Sequence, residues 1–251
     1  MQDETWKPVT PSSPEPASPA GPESGLFSRL IAVFTAPGRA MEAVKASPRW
    51  LVAGLVIMAV MALFSALTAT IAGPEQVDMM KETKLGRMMT PEQIQVAEEQ
   101  ALNPSLARRV ATTISAAAGG WIAVFVSGLV FLLFGKLAGG TGTFKQVMGV
   151  VFWAGLISYG LGTLVKLPLI IARQSVMEVS TGLGALAPGD PLSLGYQLLS
   201  IFDLFSIWAV AVMVIGFEKI HGFARGKAVV VTVLPWLLMS LVMIGIGRLF
   251  L

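Results

Sequence analysis

Two charged residues, Lys166 and Asp203, stand where the sequence is otherwise apolar enough to cross a membrane. Even permissive scales charge about 2.5 to 3.5 kcal/mol for Asp, Lys or Arg at the centre of a spanning helix, so such groups pair, reach water or serve a transported species. If the third and fourth apolar runs cross in opposite directions, Lys166 near the end of one and Asp203 near the start of the other lie at matched depth. The first expectation is therefore an intramembrane ion pair clasping two helices. Arg248, at a comparable level in the last run, competes as a partner. Two other readings stay open: Lys166 snorkels to the headgroups while Asp203 meets interfacial water, or the two form a proton or substrate relay.

A second cluster lies in Phe217 to Lys227, where Glu218, Lys219, His221, Arg225 and Lys227 mix both charges with two glycines. This is the candidate docking turn; the plainer reading is helix ends, a glycine turn and basic anchoring. No catalytic residues are expected. G-x-S-x-G, H-E-x-x-H and P-loop lysine patterns are all missing, and Gly139-Gly140-Thr141-Gly142 before Phe144-Lys145 reads as a tight inter-helix turn. With no cysteine and one histidine, neither a metal nor a cofactor is expected. The net charge of +3 is small and spread out, which suits anionic headgroups and not nucleic acid.

The elements that must position these residues are set by hydropathy. The chain is 54% hydrophobic and 13% charged, against about 25% charged in soluble domains. Five apolar runs predict spans over about 50–72, 113–136, 145–171, 197–217 and 228–249, each long enough for roughly 30 Å of hydrocarbon. Backbone groups must be satisfied internally there, so all five are expected to be helices. The fold class is all-α: a polytopic five-transmembrane-helix bundle with a short N-terminal amphipathic interfacial helix.

Residues 1–23 carry six prolines among Ser, Ala, Gly and Glu, and read as a disordered tail before a membrane domain over 24–251. The start lacks a basic n-region, so uncleaved insertion through the first span is expected. Ser24 is placed to cap a helix with Leu26, Phe27, Leu30, Ile31 and Phe34 on one face and Arg29 outside it. After Pro37, a second turn is expected to point Met41 and Val44 inward and Arg39, Lys45 and Arg49 outward, in the headgroup layer. Between the first two spans, Thr90, Pro91 and Glu92 open a helix reaching about Leu102, which Asn103-Pro104 ends. The connection from Ser180 to Gly195 reads as a loop.

Small residues every four positions, Gly119, Ala123 and Ser127 in the second span and Ala154, Ser158 and Gly162 in the third, mark expected helix contacts. Pro235 predicts a kink in the fifth span. No internal repeat supports an inverted-repeat transporter. For orientation, eight basic residues fall on one side and seven on the other. The dense basic turn Glu218 to Lys227 favours an inside N-terminus and an outside C-terminus.

The lead-in from Leu26-Phe27 to Pro37, the turn Gly139-Gly140-Thr141-Gly142-Thr143-Phe144-Lys145-Gln146, and Asp203-Leu204-Phe205-Ser206-Ile207-Trp208 continuing through Gly216 to Gly226-Lys227-Ala228 together carry a resemblance. Over about residues 24–250 the chain resembles the bacterial branch of the Yip (Ypt/Rab-interacting protein) membrane family. The resemblance implies a five-helix bundle with a cytoplasmic N-terminus. Eukaryotic relatives engage prenylated small GTPases in vesicle trafficking; the small-GTPase partner is not carried over, because this tail lacks acidic or aromatic docking character. The expected function is a non-enzymatic scaffold or adaptor in the bacterial inner membrane, with the lipid bilayer and a membrane protein as partners. The alternative is a small permease or lipid-translocating protein using Lys166 and Asp203.

Overall fold

The computed structural model describes residues 25–186 and 190–250. The Pro-rich tail, the Ser24 cap and part of the Ser180–Gly195 connection lie outside the described residues. Along the chain run α1 Leu26–Thr35, α2 Pro37–Ala46, α3 Trp50–Glu82, α4 Pro91–Leu102, α5 Leu106–Leu137, α6 Phe144–Gly155, a π-helical segment Leu156–Gly162, α7 Thr163–Arg173, α8 Leu194–Ser200, α9 Leu204–His221 and α10 Arg225–Phe250. Among the described residues, five helical stretches are long and apolar enough to cross a membrane, with Phe144–Arg173 counting as one.

The centre of the bundle is α6. Every residue from Val147 to Gly155 is buried, and α2, α3, α5 and α9 pack around it. The outer helices hide much less: Leu55, Leu63 and Leu67 on α3, Ile114 and Leu133 on α5, and Val242 and Met243 on α10 are exposed. Large apolar side chains facing outward on three sides suit lipid and not water. The protein is an integral membrane protein built as an all-α bundle.

Two spans extend further than hydropathy predicts. At 33 and 32 residues, α3 and α5 are longer than a bilayer needs; α3 continues through Pro74, and α5 starts at Leu106 instead of 113. The surplus carries α4, which has a full capping box between Thr90 and Gln93 and packs along α3. Glu75 secures the same region by accepting from the Val176 amide at 2.9 Å and from the Ser175 hydroxyl. Conversely, the fourth span starts later than 197. Ile201–Asp203 separates the short α8 from α9, because Gly182 and Asp203 form an antiparallel bridge that takes the chain out of helix. Hydropathy sees one apolar run; the bridge partner decides where it breaks.

The interfacial helix also differs from its expected facing. Arg29 is buried with Val33, while Leu26, Phe27 and Ile31 are exposed. The Arg29 guanidinium donates to the Ser47 carbonyl at 2.6 Å and lies 5.5 Å from the Trp153 ring centroid. A cation over an indole, with a carbonyl beside it, makes this burial tolerable. Burial, and to a lesser extent the neighbouring Arg49 charge, pushes the Arg29 guanidinium below its ordinary value. In α2, Met41 and Val44 point inward as the pattern predicts, joined by Ala40, but against α6 and α9.

Of the two small-residue stripes, the one in the third span packs. Ala154 is fully buried, Gly162 lies against Phe205, and the Ser158 hydroxyl donates to the Phe205 carbonyl at 3.1 Å. In α5, Gly119 and Ala123 instead face outward; the neighbouring register of Val124, Gly128 and Phe131 makes the contact. Spacing identifies a stripe but not the side of the helix that neighbours occupy.

Candidate functional site

Asp203 is the residue on which the site is built. It is the N-cap of α9: Oδ1 accepts from the amides of Phe205 at 3.0 Å and Ser206 at 3.1 Å. Oδ2 accepts from the Thr181 hydroxyl and lies 3.2 Å from Lys166 Nζ on α7. The carboxylate thus ties three segments together: the start of α9, the connection carrying Thr181, and α7. Arg248 does not compete for it, since its guanidinium donates to the Leu192 carbonyl at 3.2 Å.

Beside the pair lies a cavity of about 310 Å³ between α5, the π-helical segment, α9 and α10. Ser158, Tyr159, Thr163 and Ser206 give it a polar side; Phe131, Val151, Met213 and Trp236 give it an apolar one. The π turn itself is one residue wider per bond than an α turn, and such segments are common at functional sites. Towards the opposite end of the bundle the cavity's lining includes Phe131 and Val151, and the Phe131 ring lies 5.5 Å from that of Phe217, centroid to centroid. Beyond these lie the buried Val147, Met148, Phe217 and Ile220.

That opposite end holds the second cluster. His221 does not sit on the surface with its neighbours: it is buried, its Nδ1 accepts from the Gly142 amide at 3.0 Å, and its ring stacks on Phe223 with centroids 4.9 Å apart. Gly142 has to be small here, since a Cβ would come within 2.8 Å of the imidazole. Gly222, at φ 68, ends α9 in the left-handed conformation that glycine adopts without cost. Lys219 Nζ lies 2.5 Å from Glu42 Oε1 on α2, Arg225 Nε lies 3.3 Å from Glu218 Oε2, and Lys227 Nζ lies 4.7 Å from the Phe223 ring centroid. The structure therefore brings Glu218, Lys219, Arg225 and Lys227 to one end of the bundle and places His221 beneath them as the latch between two turns.

Asp203-Leu204-Phe205-Ser206 carried a readable signal for the cap, an Asp directly before an apolar helical run. Thr181 and the π turn had none: one comes from a Gly- and Ser-rich connection, the other from a stretch whose composition is ordinary. Among the described residues, no group of three or more His, Cys, Asp or Glu gathers to hold a metal.

A five-span all-α bundle with a central buried helix and a charge pair near one end defines a polytopic membrane protein. The Yip1 domain matches residues 31–246, and the chain belongs to the Yip1 domain family, as the resemblance implied. Over 108 residues it is 30% identical to the membrane protein YknW of Bacillus subtilis (strain 168), a match covering 43% of this chain and 46% of that protein. The chain thus spans about half the length of this curated relative. No solved structure matches.

Proposed function

We propose that the protein is a non-enzymatic adaptor of the bacterial inner membrane, organising lipids or partner membrane proteins, with its N-terminus cytoplasmic and its C-terminus periplasmic. One observation carries this reading: the half of the bundle around residues 147–152, Phe217 and His221 is solid, every one of these residues being buried. An adaptor needs a rigid body with surfaces at its ends, and this packed half supplies one. The docking surface is the end formed by Glu218, Lys219, Arg225 and Lys227, with the surface of α2 beside it. Its basic residues suit anionic headgroups.

The test is photo-crosslinking in native membranes from probes at Glu218, Arg225 and the outward face of α2. A discrete crosslinked protein, lost when Arg225 and Lys227 are neutralised together, is the expected result. Recovery of the protein alone, with no preferred lipid, would overturn the adaptor reading.

The cavity beside Lys166 and Asp203 favours a second reading, a small permease or lipid-translocating protein. Purified protein in sealed vesicles would then move a lipid or solute at a rate abolished by Lys166→Met. Equal rates in protein-free vesicles reject it.

A further inference from the structure

We propose that the groove between α3, α4 and α5 binds an acidic phospholipid, with its phosphate at Arg108 and Arg109 and an acyl chain along α3. This site is separate from the cavity at Asp203, and the inference stands whether or not the adaptor reading holds. The groove encloses about 440 Å³, within the range of about 300 to 1,000 Å³ that holds small ligands.

Its two ends differ in chemistry. At the mouth are Arg108, Arg109 and Gln76; along the shaft are Met61, Phe64 and Ala116, with Ser65 and with Thr68 and Thr112, whose hydroxyls donate to carbonyls of their own helices. The lining contains two guanidinium groups and no carboxylate. Three acidic residues nearby are engaged elsewhere: Glu98 and Asp78 both pair with Lys81, and Glu75 accepts from Ser175 and Val176. Arg108 also donates to the Gln100 amide oxygen, which holds its side chain towards α4. Arg109 has no carboxylate partner among the described residues. Arginine offers a planar fork that matches phosphate oxygens.

Position selects a lipid over a soluble anion. Arg108 and Arg109 directly precede the uncharged run from Val110 to Gly135, so they stand at the boundary between headgroups and hydrocarbon. From Gln76 to Met61 the α3 wall extends roughly 22 Å, close to one leaflet of hydrocarbon plus its headgroup layer. Leu63 and Leu67, next to the shaft, are exposed towards the acyl region. A cationic mouth over an apolar shaft of leaflet depth, between spanning helices, recognises an anionic headgroup and a chain together.

The experiment is native mass spectrometry of the full chain released from bilayer discs containing equal phosphatidylglycerol and phosphatidylcholine. Expected is a preference on the order of tenfold for phosphatidylglycerol, falling to near unity in R108Q/R109Q and persisting in R87Q, a basic residue outside the groove. Should the double variant fold poorly, Ala116→Leu fills the shaft without removing a charge and is expected to lower retention of both lipids. Equal binding of the two lipids by the unaltered protein overturns the proposal, as does a preference that survives both R108Q/R109Q and Ala116→Leu. Displacement of phosphatidylglycerol by millimolar glycerol phosphate would assign the mouth to a soluble anion and overturn it too.

Discussion

Asp203 has two jobs that substitution can separate. As an N-cap it satisfies the first amides of α9; as an ion it holds Lys166 and Thr181. Asparagine keeps the cap and loses the charge, whereas alanine loses both. Asp203→Ala is expected to destabilise the bundle by about 2 to 3 kcal/mol and Asp203→Asn by about half as much. Lys166→Met, which leaves the cap intact, should resemble Asp203→Asn. Thermal unfolding in detergent, followed by circular dichroism, measures the order; equal losses for Asn and Ala would remove the cap from the account. A second prediction concerns His221, the acceptor for the buried Gly142 amide. His221→Phe leaves that amide unpaired, at a cost of about 1 to 3 kcal/mol. Gly142→Ala is expected to cost a similar amount by overpacking, since its Cβ would press on the imidazole. The same unfolding assay reads both, and a neutral result for either would show that the two turns can separate freely. The sequence offered His221 as a surface residue because it sits among charges; only the approach of the glycine turn from the far side of the chain buries it.

At the scale of elements, α2 joins α6 and α9 through an apolar face, a hydrogen bond from Gln146 to the Lys45 carbonyl and one exposed ion pair. The Lys219 ammonium, by hydrogen bond first and charge second, holds the Glu42 carboxyl below the usual carboxylate range. A carboxyl lowered in the folded state adds stability above its unfolded value, and that stability disappears as pH falls through the lower folded value. Acidification below the ordinary carboxylate range is therefore expected to loosen α2 from α9, and Glu42→Gln to loosen it at every pH. Hydrogen exchange of the Pro37–Ala46 amides measures this; identical pH profiles for the two proteins would mean that the ion pair does not hold α2. Much of the element scale is legible in sequence. Thr90, Pro91 and Glu92 spell out the start of α4, and Asn103-Pro104 its end, because caps and prolines act locally. The facing of α1 is not legible: its apolar moment points one way, and the Trp153 ring and Ser47 carbonyl draw Arg29 the other.

For the whole molecule, an odd number of spans is expected to leave the two ends of the chain on opposite sides of the bilayer. Reporter tags at Gln2 and Leu251 are expected to score on opposite faces, with the tag at Gln2 cytoplasmic; two tags on one side would require a different span count. Burial is unequal among the spans. α6 is wrapped on all sides while α3, α5 and α10 face lipid. Polar substitutions at Val150 or Phe152 should therefore abolish folding, and the same changes at Val242 should chiefly affect insertion. Comparing membrane-inserted yield with detergent-extracted monomer separates the two effects.

The sequence alone determined that the chain is a membrane-spanning helical protein and roughly where it crosses, because hydrocarbon imposes length, polarity and backbone satisfaction on each segment separately. It also singled out Lys166 and Asp203 as charges standing in apolar sequence. Tertiary structure decided which helix lies at the centre, where α9 begins, that Arg29 and His221 are buried, and that two arginines flank a groove empty of carboxylates. Those outcomes depend on which segments meet, and the energy of a meeting belongs to a pair of distant residues that neither local sequence specifies.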